Sequence, residues 1–299
     1  MKLLTFISTC LIIFSANAKI RVTTYNIRNF DYDERSHVPT NKEKLVDTLK
    51  EISPDFMAVQ EINDTKKFKE MIENNFSDKY ETVFTECGGA HGQRLGFVFN
   101  TSKFKLLNFE QDMRTSNPKN PRQTMCDSGS RPLAVGKFLY LEKNETFVAI
   151  SAHLKSGGNS SSIDKRFMQI RLINEVVLEQ KSNGIKNFIV MGDFNSTEYI
   201  FNGKMREKFE KTVSQMQLKD MSEKLSCTAY WWGGKDDDTQ YPSLLDHVLI
   251  TPDFMGATNL KTEAYGHCRE LKCSATHESQ MGVSFDEVSD HCPIVTDIE

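Results

Sequence analysis

Six short stretches of this 299-residue chain place polar side chains where apolar runs end or begin. They are Asn26 in "TYNIRNF", Glu61 in "VQEI", His153 in "SAHLKSGG", Asp193 and Asn195 in "MGDFNS", Asp246 in "LLDHVLI", and Asp290 with His291 in "SDHCPIV". Carboxylate oxygens are the ligands that a hard cation such as Mg²⁺ prefers. A histidine oriented by a carboxylate can take a proton from water near neutral pH. This set of side chains therefore indicates hydrolysis of a phosphate ester.

Other hydrolytic chemistries lack their characteristic sequences. The chain contains neither a G-x-S-x-G nucleophile turn nor an H-E-x-x-H zinc helix, so a serine hydrolase and a zinc protease are both poorly supported. Each polar stretch also has an ordinary explanation by itself, because Asn and Asp close turns and cap helices. Only the recurrence of the pattern along the chain argues for a site.

Apolar runs and their periodicity predict eight strands and three helices that must position these side chains. Strands are expected at 20–27, 56–62, 95–100, 133–141, 146–154, 187–194, 244–251 and 293–298, and helices at 42–52, 65–76 and 162–181. Side chains alternate along a strand, so Ile20, Val22, Thr24 and Asn26 share one face. That apolar face ends in an amide, and the repeated pattern predicts a polar crevice along one sheet edge. No linker or repeat divides 19–299, which predicts one large α/β domain.

The first residues, "MKLLTFISTCLIIFSANA", are typical of a secretory signal peptide over 1–18. Lys2 precedes an apolar run that is too short to span a bilayer, and the small residues Ala16 and Ala18 suit cleavage before Lys19. We therefore expect the mature protein to be secreted or periplasmic.

Six cysteines follow the predicted cleavage point, and their even number in an exported chain favours disulfides. They are Cys87, Cys126, Cys227, Cys268, Cys273 and Cys292. We expect at least two disulfides, and the close pair Cys268 and Cys273 is the easiest to join as a small loop. A structural zinc site is the alternative, but no C-x-x-C motif supports it. Buried free thiols are the minority interpretation in an oxidising compartment.

The formal net charge of −4 makes the chain mildly acidic. Proteins that coat nucleic acid through broad electrostatic attraction are usually basic, so the charge argues against such a role. A polyanionic substrate must instead be held by local Arg and Lys side chains or by metal ions.

Taken in order, the six stretches resemble the endonuclease/exonuclease/phosphatase superfamily, whose secreted nucleases include the deoxyribonuclease I group. The resemblance extends from "TYNIRNF" to "SDHCPIV" and covers nearly the whole mature chain. It implies an α/β fold, a four-layer sandwich of two face-to-face β-sheets flanked by helices. It also implies a divalent-metal-dependent phosphodiesterase, most simply a DNA endonuclease, and we expect a monomer without a stable protein partner.

The resemblance further implies a role for each residue of the set. The metal, Mg²⁺ with Ca²⁺ or Mn²⁺ as alternatives, would be held by Asn26, Glu61 and Asp290. The attacking water would be oriented and the scissile phosphate held by Asp193 and Asn195, while Asp246 would support His291 as general base. His153 would protonate the leaving oxygen or bind phosphate, and Arg131 and Lys155 would bind phosphate. Read singly, Asn26 and Asn195 could close turns, His153 could be a core histidine, and Arg131 could form a surface ion pair.

Two positions depart from the deoxyribonuclease pattern. Gln93 stands where that group has a Glu supporting the histidine equivalent to His153, and Asn63 replaces an arginine that enters the DNA minor groove. A glutamine can orient an imidazole but cannot stabilise its protonated form by charge. The acid role of His153 and binding in the groove of duplex DNA are both less secure for these reasons.

The remaining histidines and Phe194 are expected to serve the structure. Strand alternation directs His247 away from Asp246, which favours a structural role for it. Phe194 should pack in the core beneath the site. Four histidines are expected in exposed loops, namely His37, His91, His267 and His277.

Two other functions remain open at this point. A phosphatase, or a sphingomyelinase or phospholipase C-like enzyme on lipid head groups, is favoured by "YWWGG" at 230–234, since exposed tryptophans near a site can insert into lipid. Family sphingomyelinases carry an aromatic hairpin before the last histidine, whereas 265–290 is polar here. We expect Trp231 and Trp232 to pack against the protein, with stacking on bases as the alternative. A non-catalytic binding protein is the other function, and the complete residue set argues against it.

Overall fold

The chain is described by a computed structural model over residues 19–33, 37–76, 78–127, 129–196, 203–234 and 237–299. The predicted signal peptide, 1–18, lies outside these residues. The strands are β1 (Ile20–Phe30), β2 (Tyr32–Asp33), β3 (Val38–Pro39), β4 (Phe56–Ile62), β5 (Tyr80–Phe84), β6 (Arg94–Asn100), β7 (Phe104–Asp112), β8 (Leu133–Tyr140), β9 (Glu145–His153), β10 (Asn187–Asp193), β11 (Lys219–Asp220), β12 (Ala229–Gly234), β13 (Asp237–Ser243), β14 (Asp246–Ile250), β15 (Leu260–Ala264), β16 (Thr276–His277) and β17 (Ile294–Ile298). The α-helices are α1 (Lys42–Ile52), α2 (Thr65–Asn75), α3 (Ser160–Ser182), α4 (Gly203–Gln215), α5 (His267–Glu270) and α6 (Val283–Glu287).

Two six-stranded mixed sheets form the centre of the fold. The first sheet has the order β15-β17-β1-β4-β6-β5, and the second has the order β11-β14-β10-β9-β8-β7. Within them β1 runs parallel to β4, and β9 runs parallel to β10, while the other pairs are antiparallel. The eight predicted strands are the eight inner strands of these sheets.

The main core lies between the two sheets. Ile20 and Val22 of β1 pack there with Phe56, Phe97 and Phe138 in one buried cluster. Aromatic rings dominate this layer, and Phe56 meets Phe138 edge to face with ring centroids 4.8 Å apart. The alternation predicted for β1 is therefore confirmed, because its residues 20 and 22 face the second sheet.

Helices cover the outer faces of both sheets. Tyr25 and Ile27, on the other face of β1, pack with Leu45 and Leu49 of α1 and Phe68 of α2. Against the second sheet pack α3 and α4, whose contacts form a separate buried cluster. The predicted four-layer arrangement of two sheets flanked by helices is thus confirmed.

Helix α1 shows how local sequence sets an element's limits. The Asn41 side chain caps its start by accepting a hydrogen bond from the Lys44 N–H at 2.9 Å. Ser53 ends it in a left-handed conformation, just before Pro54, which cannot continue a helix. The helix coincides with the predicted 42–52. Among the described residues, no helix combines the length and apolar character needed to cross a membrane.

Three disulfides close the fold, which confirms the expectation of at least two. They are Cys87–Cys126, Cys227–Cys273 and Cys268–Cys292. The pairing of Cys268 with Cys273 was wrong. Cys268 lies on α5 and is buried against Cys292, while Cys273 follows the helix and reaches the buried Cys227. Partners distant in sequence are brought together by this small cluster, so sequence proximity misleads.

Candidate active site

Three of the predicted site residues form a row across the second sheet. His153 ends β9, Asp193 ends β10 and Asp246 begins β14, and the strand register pairs His153 with Asp193 and Asp193 with Asp246. Directly paired residues project from the same face of a sheet. The three side chains therefore stand side by side at one end of the sheet, and all are buried.

The first sheet supplies Asn26 and Glu61 at the same end of the sandwich. The Asn26 side-chain amide donates to Glu61 Oε1 at 3.2 Å and to Asp193 Oδ2 at 3.1 Å, so it links the two sheets. The register of β4 with β1 and with β6 shifts near Glu61. Glu61 itself has φ 62°, and the Asn29 N–H donates to its Oε2 at 3.0 Å. A non-glycine residue in this left-handed region is uncommon and clusters at functional sites.

His291 and Asp246 form a hydrogen-bonded pair. His291 Nδ1 lies 2.8 Å from Asp246 Oδ2, and both side chains are buried. Thr228 Oγ1 accepts the Asp246 N–H at 2.9 Å, and Ser289 Oγ accepts the His291 N–H at 3.1 Å. Ser289 also donates to the carbonyl of Asn26 at 2.7 Å, which ties the pair to β1.

Sequence reasoning missed Thr228 and Ser289. Ser289 stands directly before Asp290 in "SDHCPIV" and could have been noticed there. Thr228 carries no comparable signal, because only the folded chain brings it against β14.

Burial and neighbouring charges shift the pKa values of His291 and Asp193. Burial by itself lowers the pKa of His291, but the negative charges of Asp246 and Asp193 outweigh it and hold that pKa well above its usual value. Burial raises the pKa of Asp193 to about 7, even though the positive charge of His291 opposes the shift. The two groups thus compete for protons in a site that is largely closed to water.

His153 is held by Arg131, on the loop before β8. The Arg131 Nε donates to His153 Nδ1 at 3.1 Å, and its guanidinium Nη2 contacts Nε2 of the same ring. His153 Nε2 also lies 3.2 Å from Asp193 and 3.6 Å from Glu61. Burial and the charge of Arg131 hold the pKa of His153 well below its usual value, so the imidazole is neutral near pH 7.

Gln93 makes a different contact from the one expected. Its amide Nε2 donates to Asn29 Oδ1 at 2.7 Å, and no hydrogen bond to His153 is found within the described ranges. Asn29 in turn binds Glu61 through its N–H. Gln93 therefore supports the backbone beside Glu61, while Arg131 orients His153.

Asn195 closes the turn that follows β10. It has φ 50°, and its N–H donates to Asp193 Oδ1 at 2.8 Å. Its side-chain amide donates to Asp193 Oδ2 at 3.0 Å and to the Leu154 carbonyl at 3.2 Å. Phe194, between them, is fully buried in the cluster under α3, as expected. Asn195 thus serves the turn and lies at the site at the same time.

The residues present fit a hard divalent cation. Glu61, His153 and Asp193 each place a ligand atom within 4.8 Å of the others. Burial and the nearby charge of Asp290 raise the pKa of Glu61 against the opposing charge of Arg131. The Asp290 carboxylate makes no hydrogen bond or ion pair with the residues that the structure describes. A buried Glu61 carboxylate whose ionisation is opposed by its surroundings suits a cation that it shares with Asp290.

The other histidines divide into buried and exposed sets. His247 points away from the site and contacts Ser196 Oγ and Asp220 Oδ2, at 2.6 and 2.7 Å, as expected for a structural role. His37, His91 and His277 are exposed, as predicted. The prediction for His267 was wrong, because α5 buries it against Tyr230 and Phe285. A second candidate ligand group, His267 with Cys268 and Cys292, is occupied by the disulfide.

The two tryptophans are exposed on β12, contrary to the expectation that they pack. Trp231 is 37% exposed and Trp232 46% exposed, and Trp231 contacts Tyr241 of β13 with ring centroids 6.0 Å apart. Their strand begins at the site, because Ala229 pairs with His291 and the Tyr230 N–H donates to the Asp290 carbonyl.

Comparison with solved structures shows that several proteins share this fold. The human nocturnin catalytic domain with bound sulfate is 16% identical with a TM-score of 0.63, covering 94% of both chains. A mannosyl-6-phosphatase of Bacteroides thetaiotaomicron is 17% identical with a TM-score of 0.64, covering 94% of this chain and 99% of that chain. D. rerio TDP2, complexed with single-strand DNA product, is 15% identical with a TM-score of 0.62, covering 95% of this chain and all of that chain.

A search of curated proteins finds no match for the chain. The model of the Endonuclease/Exonuclease/phosphatase family matches residues 23–291, a range that includes every predicted site residue. The chain therefore belongs to the endonuclease/exonuclease/phosphatase family.

Proposed function

We propose that this protein is a divalent-metal-dependent phosphodiesterase that hydrolyses DNA, acting as an exported endonuclease. The observation that carries the proposal is the convergence of two histidines and three carboxylates from two sheets, with Asn26 bonded to both Glu61 and Asp193. Binding alone does not require an oriented histidine pair beside such carboxylates. Phosphoester hydrolysis requires a base, an oriented water and charge stabilisation, which this set supplies.

In this proposal, His291 and Asp246 act on the attacking water. Asp246 fixes the tautomer and orientation of the imidazole through the 2.8 Å contact to Nδ1. In its neutral form, which the raised pKa makes more basic but less populated near pH 7, His291 takes the proton from water through Nε2, which lies 3.7 Å from Asp193 Oδ2. Asp193, locked by Asn195, orients that water. The neutral His153 and the adjacent Arg131 hold the oxygens of the scissile phosphate, and Lys155 is a further phosphate-binding cation beside them.

A bound Mg²⁺, Mn²⁺ or Ca²⁺ would supply charge neutralisation at the phosphate. Glu61 and Asp290 are the carboxylates to hold it, with the Asn26 side chain beside them. The neutral state of His153 favours a role as phosphate ligand over a role as leaving-group acid. Replacement of the family Glu by Gln93 supports the same assignment, since Gln93 carries no charge and its amide contacts Asn29 instead of His153.

Three observations support DNA and export. A structure of similar fold, D. rerio TDP2, holds a single-strand DNA product. Cationic side chains gather locally at the site although the chain is acidic overall. Three disulfides suit an oxidising compartment outside the cytosol.

Hydrolysis of lipid head groups is the second candidate, and the exposed Trp231 and Trp232 favour it. Exposed indoles on a strand that begins at the site could enter a lipid surface. A mannosyl-6-phosphatase has a similar fold, so the test also includes a phosphomonoester.

One experiment separates these candidates. The purified mature protein is incubated with plasmid DNA, single-stranded DNA, RNA, sphingomyelin vesicles and mannose 6-phosphate, with Mg²⁺ and with chelator. We expect internal DNA cleavage that chelator abolishes and that Glu61→Gln reduces at least 100-fold, on the order of a lost catalytic contact. Cleavage of sphingomyelin with intact DNA would establish the second candidate, and full activity in chelator would refute the metal-dependent mechanism.

A further inference from the structure

Three segments of the chain meet beside the site at the end of β9. They are the loop 154–159, the turn 113–120 and the first turns of α3. Gln169 of α3, fully buried, joins them: its Oε1 accepts the Lys155 N–H at 2.9 Å, and its Nε2 donates to the Thr115 carbonyl at 3.1 Å. Thr115 Oγ1 donates to the Arg131 carbonyl at 3.0 Å. The backbone of Lys155 is therefore fixed relative to that of Arg131.

A second buried side chain of α3 fixes the same loop. Arg166 is 1% exposed, and its guanidinium donates to the carbonyls of Lys155 and Gly157 at 2.6 and 2.8 Å. A charge buried to this extent is costly unless it is hydrogen-bonded. These hydrogen bonds fix the backbone of the loop after His153, and therefore the position of the Lys155 Cα from which the side chain extends.

Three lysines extend from these three segments. Lys155 follows β9 and Lys165 lies on α3, both half-buried, while Lys119 is exposed on the turn. None of them takes part in an ion pair within the part of the chain that the structure describes. The nearest acid in sequence, Asp164, is exposed on α3 beside Lys165 and forms no ion pair with it.

The charges of these side chains act on one another. Burial and then the charges of Lys155, Lys119 and Arg131 lower the pKa of Lys165. The chain has a formal charge of −4, so its carboxylates outnumber its lysines and arginines. Elsewhere these carboxylates pair with lysines, as Asp55 does with Lys103 at 2.8 Å. The described residues provide no such partner to the cluster next to Arg131.

We propose that Lys119, Lys155 and Lys165 form a subsite for a second, non-scissile phosphate of a polynucleotide substrate. We call this group the lysine cradle. The inference rests on the proposed function and deepens it, because it predicts that a nucleotide with two phosphates is recognised better than one with a single phosphate. In this proposal Arg131 and His153 contact the scissile phosphate, and the cradle, whose segments are tied to the backbone of Arg131 through Gln169 and Thr115, binds the next phosphate.

A polynucleotide is favoured over other polyanions for a physical reason. Its phosphates repeat along the strand, so a cationic cluster adjoining the scissile-phosphate ligands meets the next phosphate without any change of substrate orientation. A lipid with a single head-group phosphate offers no second anion to the cradle. A head group with several phosphates does, and the test includes it.

The test uses variants that leave the proposed catalytic residues intact. Lys119→Gln/Lys165→Gln removes two cradle charges and spares Lys155. Lys105→Gln/Lys186→Gln is the matched control, because both lysines are exposed and lie at the opposite ends of β7 and β10 from the site. Both double variants change the net charge equally.

Calorimetric titration measures binding of thymidine 3′,5′-bisphosphate and thymidine 5′-monophosphate to each protein with Mg²⁺. We expect the wild type to bind the bisphosphate more tightly than the monophosphate. In the cradle variant the ratio of the two dissociation constants should shrink by about 3- to 25-fold, because each of the two lost contacts contributes up to about fivefold. The control variant should keep it. Equal binding of the two nucleotides by the wild type, or full preference in the cradle variant, overturns the proposal.

Two further measurements separate this proposal from the proposed function. DNA cleavage is measured independently, so a protein that does not cut DNA but prefers the bisphosphate through the cradle refutes the function and keeps the site. A protein that cuts DNA without that preference keeps the function and refutes the site. Inositol 1,4-bisphosphate is titrated alongside, and tighter cradle-dependent binding of it than of the nucleotide overturns the assignment to a polynucleotide.

Discussion

Replacement of Asp246 by asparagine tests the central pair of the proposed mechanism. Asp246 Oδ2 lies 2.8 Å from His291 Nδ1, and both residues are buried, with 1% and 7% of their surface exposed. The variant keeps the size and shape of the side chain and removes its charge. The backbone anchor through Thr228 is unaffected, because it uses the Asp246 N–H.

The expected loss follows from the geometry. Two opposite charges about 4 Å apart attract by about 4 kcal/mol at an effective dielectric constant of about 20. At about 1.4 kcal/mol per factor of ten, loss of this attraction corresponds to about 10³-fold in kcat. General base catalysis contributes about 10²- to 10⁴-fold, so we expect kcat to fall by about 10²- to 10³-fold.

Single-turnover hydrolysis of a DNA oligonucleotide at saturating Mg²⁺ provides the measurement. Asp220→Asn is the matched control, because Asp220 forms a similar buried pair with His247, at 2.7 Å, outside the site. We expect that control to cost less than about tenfold in rate, since its partner His247 points away from the site toward Ser196. A rate for Asp246→Asn within threefold of wild type would refute the pairing as a catalytic device.

Further outcomes follow from Glu61, from the disulfide at the site and from His267. Glu61→Gln should raise the Mg²⁺ concentration for half-maximal activity at least tenfold, because a neutral amide binds Mg²⁺ weakly; an unchanged metal titration would contradict Glu61 as a ligand. Replacing Cys268 and Cys292 together by serine opens a loop with a sequence separation of 24 and should lower the unfolding free energy by about 3.5 kcal/mol. Urea unfolding measures this loss, and a change below about 1 kcal/mol would contradict it. Burial lowers the pKa of His267 from 6.5 to about 4. Between pH 4 and 6.5 this histidine therefore binds a proton in the unfolded chain but not in the folded chain. Stability should therefore fall by up to about 3 kcal/mol on acidification from pH 6.5 to 4; His267→Gln should flatten this dependence and His277→Gln should not.

The sequence predicted the inner part of each sheet and missed its edges. The eight predicted strands are the inner strands, and the four edge strands, β5, β7, β11 and β15, were not predicted. An inner strand is buried on both faces and reads as an apolar run, as in β10, where six of seven residues are buried. The edge strand β15 has no buried residue, so its sequence lacks the signal.

The site residues were predictable for a related reason. Most of them lie at or near the end of an inner strand, where an apolar run stops at a polar side chain, as His153 and Asp193 do. Their types specify hydrolytic chemistry before any fold is known. Gln93 and Cys273 could not be assigned in the same way, because their partners depend on how distant segments meet.

Local sequence thus determined which segments are strands or helices and which residues can do chemistry, since both follow from side-chain type and periodicity. Tertiary structure alone decided the contacts across the sandwich. The hydrogen bond from Asn26 to Asp193 joins residues 167 positions apart, and Arg131, rather than the residue at position 93, orients His153. Such contacts depend on sheet order, register and packing of the whole core, to which each residue contributes only a small part. No short stretch of sequence encodes them.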